Sequence, residues 1–218
     1  MNEAQKRVVV IATANKGKVQ EFANWFGARG MEVRSLADYD NLPEIVEDGD
    51  TFAANARIKA ELIANHLGMP VLADDSGLSV DRLNGEPGVY SARYAGVPSS
   101  DANNNAKLLR ELALLNPAST ASSQEDPSLV MLSSAHFVSA LALAFPESST
   151  VLEAEGRCSG YIVSEPRGTG GFGYDPLFYL PEFDKTMAEL TLEEKNKISH
   201  RAHALELFFK QYPDPFGI

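Results

Sequence analysis

Cysteine is almost absent: Cys158 is the only one in 218 residues. An internal disulfide is therefore impossible, and so is a zinc site built on clustered thiolates. Cys158 reads as a small buried hydrophobe. Positive charge is also scarce. Nineteen Lys and Arg stand against 30 Asp and Glu, a net charge of −11. So acidic a chain is poorly suited to gripping a nucleic-acid polymer, which rewards clustered cations. It can still hold a single nucleotide through a few local cations and a metal. Long apolar runs are missing too. No run approaches a membrane span, and the apolar stretch in MNEAQKRVVVIA is too short for a signal peptide. We expect a cytoplasmic protein with neither a membrane nor a nucleic-acid polymer as partner. The remainder is globular in composition, 44% hydrophobic and 22% charged, which suits one large domain or two closely associated lobes.

The most informative stretch is residues 73–96, ADDSGLSVDRLNGEPGVYSARYAG. An apolar run, Val71-Leu72-Ala73, ends in the adjacent carboxylates Asp74 and Asp75. One reading is a strand that delivers acids to a sheet edge or cleft, where a divalent cation or an activated water is commonly held. The other is a tight turn, for which Asp-Asp-Ser-Gly is good chemistry. These residues alone leave the two level.

Along the chain, the β-branched run at residues 8–12 predicts a buried strand. A polar loop, Thr13-Ala14-Asn15-Lys16-Gly17-Lys18, follows, then a helix over 19–29 with Val19, Phe22, Ala23 and Phe26 at helical spacing and Gly30 as its C-terminal cap. Strand, polar loop and helix aim backbone N–H groups at an anion, although this loop is not the GxxxxGK[ST] phosphate loop. Residues 31–36 predict a second strand and residues 37–49 an acidic connection carrying Glu44, Glu47 and Asp48. A helix capped by Asp50 or Thr51 runs to about His66, with Ala54, Ile58 and Leu62 as its apolar stripe. Asn55 and Lys59 lie on another face; read alone, Lys59 is a solvated lysine.

Residues 101–115 predict an amphipathic helix, and residues 116–128, NPASTASSQEDPS, an exposed polar loop. Residues 129–145 and 150–163 read as an antiparallel strand pair turned at Pro146-Glu147-Ser148. Residues 168–176, GTGGFGYDP, interleave glycines with Phe172, Tyr174 and Asp175, which suggests backbone closely approaching something flat. Thr191-Leu192-Glu193-Glu194 resembles a capping box. On one straight helix Lys195, His200 and Arg201 would spread around the axis at ~100° per residue. They converge only if the helix breaks and restarts with Ser199 as a new cap. Ala202, Leu205 and Phe208-Phe209 would then be the buried face of the last helix.

Together, TANKGK, EDGDTFAANARIKA, ADDSGLSVDRLNGEPGVYSARYAG, GTGGFGYDPLFY and EEKNKISHRAHAL resemble, in order, the inosine/xanthosine triphosphate pyrophosphatases, which remove non-standard purine nucleotides. Each motif is weak alone; five in order across almost the whole chain are specific. The resemblance implies an α/β fold, a long mixed β-sheet flanked by helices, with two lobes and a central cleft over residues 1–218. It implies a homodimer, Mg²⁺ dependence, and hydrolysis of dITP, ITP, dXTP or XTP to the monophosphate and pyrophosphate. By the same likeness Asp75 is general base and metal ligand, and Ser76 contacts substrate. Thr13, Ala14, Asn15, Lys16, Gly17 and Lys18 cradle the phosphates. Phe172, Gly173, Tyr174, Asp175, Lys195, His200 and Arg201 surround the base. Glu47 is the second metal carboxylate, with Glu44 as the alternative. Asp48 stands where many relatives have Thr.

The chemistry wants such residues. Mg²⁺ takes one or two carboxylates plus phosphate oxygens and waters, which suits Glu47 and Asp75. A carboxylate beside the attacking water can accept its proton. Lys16, Lys18 and Lys59 can carry the remaining phosphate charge. Donors from Arg201 or His200 would favour a C6 keto oxygen over an amino group. Two rivals stand beside this reading: a Maf-type pyrophosphatase for other modified nucleotides, and a nucleotide-binding module that does not cleave. The acids argue against the second, since extra negative charge weakens triphosphate binding without a metal.

Overall fold

The structure, a computed structural model, describes residues 7–115, 121–122 and 129–216. Its elements in chain order are β1 (Arg7–Ile11), α1 (Lys16–Gly27), β2 (Met31–Ser35), α2 (Phe52–Leu67), β3 (Val71–Val80), α3 (Asp101–Leu114), β4 (Ala121–Ser122), β5 (Val130–Ala144), β6 (Val151–Val163), β7 (Phe178–Leu180), β8 (Lys185–Thr186), α4 (Leu192–Ile198) and α5 (His200–Gln211). The strands run in the order β2-β1-β3-β5-β6-β7-β8, with β4 paired to β5 off that path. β1 is parallel to β2 and β3, whereas β7 is antiparallel to β6 and β8, so the sheet is mixed. This is the α/β class expected from the sequence. The polar stretch 116–128 lies outside the described residues except for Ala121–Ser122. Among the described residues no helix is long and apolar enough to cross a membrane.

The chain forms two compact units. The first is made of Met1–Asp75, Ser139–Gly156 and Arg201–Ile218; the second of Ser76–Val138 and Arg157–His200. In the first unit, alternation along the strands separates two cores. Val9 and Ile11 of β1 and Leu72 of β3 pack with Phe22 and Phe26 of α1 and Leu205 and Phe208 of α5. Val10 of β1, Ala12, and Val71 and Ala73 of β3 pack with Ala56, Ala60, Ile63 and Ala64 of α2. Successive residues of a strand point to opposite faces, so each strand feeds both cores. In the second unit Leu78, Val80, Phe137, Ile162 and Phe178 pack with Leu108 and Leu112 of α3. Cys158 lies in this core, and burial pushes its thiol up to about 11. It is the buried hydrophobe the sequence predicts.

Two helices differ from the sequence expectation. α1 begins at Lys16, not at 19, because Asn15 is a competent N-cap whose side chain accepts from Lys18 N. Lys16 and Lys18 therefore stand in the first helical turn rather than in a loop. In α2, Thr51 caps the start and left-handed Gly68 the end. Its buried face is Asn55, Ala56, Lys59, Ala60, Ile63 and Ala64, not Ala54, Ile58 and Leu62. Alanines let the helix approach the strands closely, and the two polar residues have partners on that face. The break after α4 falls where expected, with Ser199 in extended conformation between α4 and α5.

Gly160 of β6 lies under β7. A Cβ there would come within 2.7 Å of the Phe178 ring and 2.5 Å of the Tyr179 carbonyl oxygen. Gly160→Ala is therefore expected to destabilise the protein by about 1–3 kcal/mol through overpacking. A urea titration against the wild type measures it, and an unchanged midpoint would show that β7 yields.

Candidate functional site

β3 carries the central acids. Because neighbours on a strand face opposite ways, Asp74 points with Leu72 toward α1 and α5, and Asp75 points with Ala73 toward α2. The adjacent carboxylates thus enter two different environments.

Asp74 is fully buried. Its Oδ2 meets Lys18 Nζ at 2.7 Å and accepts from Arg201 NH2 at 3.1 Å; its Oδ1 accepts from Ser139 Oγ at 2.5 Å. Arg201 NH1 donates to Glu21 of α1, which is itself buried. Burial opposes the charge on Asp74, but Arg201 and Lys18 beside it hold its carboxyl well below the usual carboxylate range. Burial lowers Lys18 in turn, against the pull of Asp74. Burial also opposes the charge on Arg201, yet Asp74 and Glu21 raise it above the ordinary guanidinium value.

Asp75 belongs to a second cluster. Lys59 Nζ donates to Asp75 Oδ1 at 2.9 Å and pairs with Glu47 Oε1 at 2.7 Å. One ammonium therefore stands between two carboxylates. Burial raises the Asp75 carboxyl, and the nearby Lys59 and Lys18 only partly offset it. Glu47 is brought here by a close approach. Gly49 N donates to Asn55 Oδ1 at 2.8 Å, and a Cβ on Gly49 would lie 2.8 Å from both that oxygen and the Ala54 Cβ. Asn55 and Lys59 are one helical turn apart on the same buried face, so the segment that Asn55 holds carries Glu47 to Lys59. Glu44 and Asp48 are exposed.

The donor set fits a hard divalent cation. Asp75 Oδ2 is buried and has no hydrogen-bond partner among the described residues, and Glu47 faces the same lysine. Mg²⁺ typically takes one or two carboxylates and completes its shell with phosphate oxygens and waters. Among the described residues no group of three or more His, Cys, Asp or Glu side chains stands together to hold a metal. These acids would therefore hold such an ion jointly with a bound phosphate.

The polar segment before and into α1 supplies Thr13, buried, whose Oγ1 accepts from Asn15 N at 3.2 Å. Ala14, Asn15 and Lys16 are exposed, and Gly17 and Lys18 are half-buried. Ser76, next on β3 after Asp75, is half-buried.

In the second unit the glycine-rich loop forms its own cluster. Asp175 Oδ2 accepts from Lys195 Nζ at 2.6 Å and from Phe172 N at 2.9 Å. The same ammonium lies 4.6 Å from the centroid of the Phe172 ring, a cation–π contact. Tyr174 is buried and donates to the Ser91 carbonyl at 2.8 Å. His200, buried, stacks on Phe137 with centroids 4.9 Å apart.

The structure thus brings Asp75, Glu47 and Lys59 together, Lys18 with Arg201, and Phe172, Asp175 and Lys195 together. Two of the Arg201 nitrogens serve Glu21 and Asp74, on the side of the phosphate acids. Glu21 and Ser139 are participants that sequence reasoning does not single out, whereas Asn55 is visible there only as a neighbour of Lys59 on one helix face. Glu21 lies three residues from Lys18, a neighbouring position on one helix face, which is the only local signal for it. Nothing near Ser139 in the sequence marks it.

Comparison with known proteins supplies a context. The Ham1 family model matches residues 9–211. A dITP/XTP pyrophosphatase of Geobacillus kaustophilus is 53% identical over 209 residues, 96% of each chain. A dITP/XTP pyrophosphatase of Halalkalibacterium halodurans is 53% identical over 197 residues, covering 90% of this chain and 94% of that one. Among solved structures, the Ham1 protein of Staphylococcus aureus superposes with a TM-score of 0.77 at 38% identity, over 96% of this chain and 100% of its own. A HAM1 protein of Coxiella burnetii gives 0.79 at 38% identity, over 95% and 99%.

Proposed function

The chain belongs to the Ham1 family, and from that premise we propose that it hydrolyses deaminated purine nucleoside triphosphates, dITP, ITP, dXTP and XTP, to the monophosphate and pyrophosphate. The observation that carries the reading is the Asp75–Lys59–Glu47 cluster: two carboxylates on one ammonium, with one buried carboxylate oxygen left unmatched. A protein that only bound a triphosphate would gain nothing from acids so placed.

Thr13–Lys18 and Lys59 are assigned to the phosphates, with backbone N–H groups at the start of α1 favouring an anion. Asp75 accepts the proton of the attacking water. The bond between the α- and β-phosphates breaks, and Lys18 and Lys59 stabilise the pyrophosphate that leaves. Bound Mg²⁺, held by Asp75 and Glu47, would supply charge neutralisation on the phosphate oxygens. Ser76 is assigned to substrate, and Phe172, Gly173, Tyr174, Asp175, Lys195 and His200 to the base. There Phe172 offers a ring face and the polar groups favour a keto pattern. Arg201, also in the family's base set, supports the reading through Asp74, which it anchors beside Lys18. The same reading includes a homodimer and a cytoplasmic location, where the nucleotide pool is.

A panel assay tests it. Pyrophosphate release is measured from ITP, dITP, XTP, ATP, GTP, dUTP and methylated pyrimidine triphosphates, with Mg²⁺ or with excess EDTA. ITP and XTP should exceed ATP by up to roughly 10⁴-fold, and EDTA should abolish turnover. Preference for the pyrimidines would favour the Maf-type reading. ITP binding unaltered by EDTA, without pyrophosphate, would leave a sensor.

A further inference from the structure

α3 begins at the glycine-rich loop. Ser100 caps the helix, and Asp101 and Asn105 stand four residues apart, hence on one face. Asp101 Oδ2 accepts from Gly173 N at 2.7 Å, and Asn105 Nδ2 donates to the Gly173 carbonyl at 2.9 Å. One turn of one helix thus grips both backbone polar groups of a single residue. Gly173 has φ +61°, a left-handed conformation that glycine adopts without cost. Phe172 precedes it and Tyr174-Asp175 follow, so the torsions of Gly173 fix the angle between the Phe172 ring and the Asp175–Lys195 pair.

The rest of the first turn of α3 is anchored as well. Asn104, buried, accepts from Ala95 N at 2.7 Å and donates to the carbonyls of Ala92 at 3.1 Å and Ser91 at 3.4 Å. Tyr174 reaches that same Ser91 carbonyl. Asp101 and Asn105 are therefore mounted on a fixed support, whereas the loop they hold is rich in glycine.

We infer that Asp101 and Asn105 are positioning residues for purine recognition, acting by clamping the Gly173 peptide groups and so setting the presentation of Phe172 and Asp175. The inference rests on the assignment of residues 172–175 to the base. Both residues hold the loop assigned to the base, so the clamp acts on binding and base preference rather than on the chemical step.

The test compares Asp101→Ala, Asp101→Asn, Asn105→Ala and Phe172→Ala by steady-state kinetics with ITP and ATP, each checked for an unchanged melting curve. Asp101→Ala should raise KM for ITP about 10-fold and narrow the ITP/ATP ratio, with kcat within about twofold, as expected for loss of a charge-assisted hydrogen bond. Asp101→Asn keeps an acceptor oxygen for Gly173 N and should recover most of the loss. Asn105→Ala should act in the same direction, and the double alanine variant should be less than multiplicative, because both residues hold one peptide segment. A fall in kcat at constant KM, or no recovery in Asp101→Asn, would overturn the clamp. So would an unchanged KM in Asp101→Ala while Phe172→Ala impairs ITP binding, and in that case the base assignment survives. If Phe172→Ala itself leaves KM and base preference untouched, the base assignment fails and the clamp fails with it.

Discussion

Asp75→Asn should lower turnover by about 10²–10⁴-fold, the usual contribution of a general base, while leaving the fold intact. Asparagine has the same volume and keeps an oxygen able to accept from Lys59 Nζ at the position of Asp75 Oδ1. What it loses is the ability to take a proton and the charge that a cation would meet at the unmatched Oδ2. Pyrophosphate release from ITP measures the first loss, and the melting curve checks the fold. Near-normal kcat would remove Asp75 from the role of base. A parallel Glu47→Gln variant separates the two functions: it keeps the base, so raising the Mg²⁺ concentration should restore its rate far more than that of Asp75→Asn.

Arg201→Ala should cost about 3–5 kcal/mol of stability, because removing one member of a buried ionic group strands the others. Arg201 is 1% exposed and its partners, Glu21 and Asp74, are 4% and 0% exposed. Both carboxylates would lose a charged donor and remain out of water. Arg201→Lys should recover only part of the loss, since a single ammonium cannot present the guanidinium's fork to two acids. Urea titration measures both variants. A loss below about 1 kcal/mol would mean that water reaches the cavity and solvates the acids, as at exposed pairs. Because Asp74 also binds Lys18, a destabilised Arg201 variant that stays folded should also bind the triphosphate more weakly.

How much of this the sequence made legible follows from the range of each interaction. The strands and most helices show in local periodicity, and the caps at Thr51 and Thr191 and the break at Ser199 are written in adjacent residues. The acids of β3 are visible as a motif, but their division between two faces depends on knowing that the segment is a strand and not a turn. Lys59 reads as solvated because helical lysines usually are; only the fold brings Glu47 and Asp75 to it. The buried face of α2 is misassigned because alanine carries little hydrophobic signal, so bulkier Ile58 and Leu62 draw the stripe to the wrong side. Glu21 and Arg201 are joined across 180 positions, and no local pattern can show that. The grip of α3 on Gly173 is equally silent, since neither Asp101 nor Asn105 lies near the loop in sequence.

β1 and β3 pair with Val10 opposite Val71 and Ile11 opposite Leu72. Sliding one past the other by a single step would turn every side chain of β3 over. Asp74 would then confront α2, and Asp75 the guanidinium. The surroundings of each aspartate are therefore a matter of odd or even count along the backbone. Deleting one amino acid between Leu72 and Asp74 would exchange their neighbourhoods without altering either carboxylate.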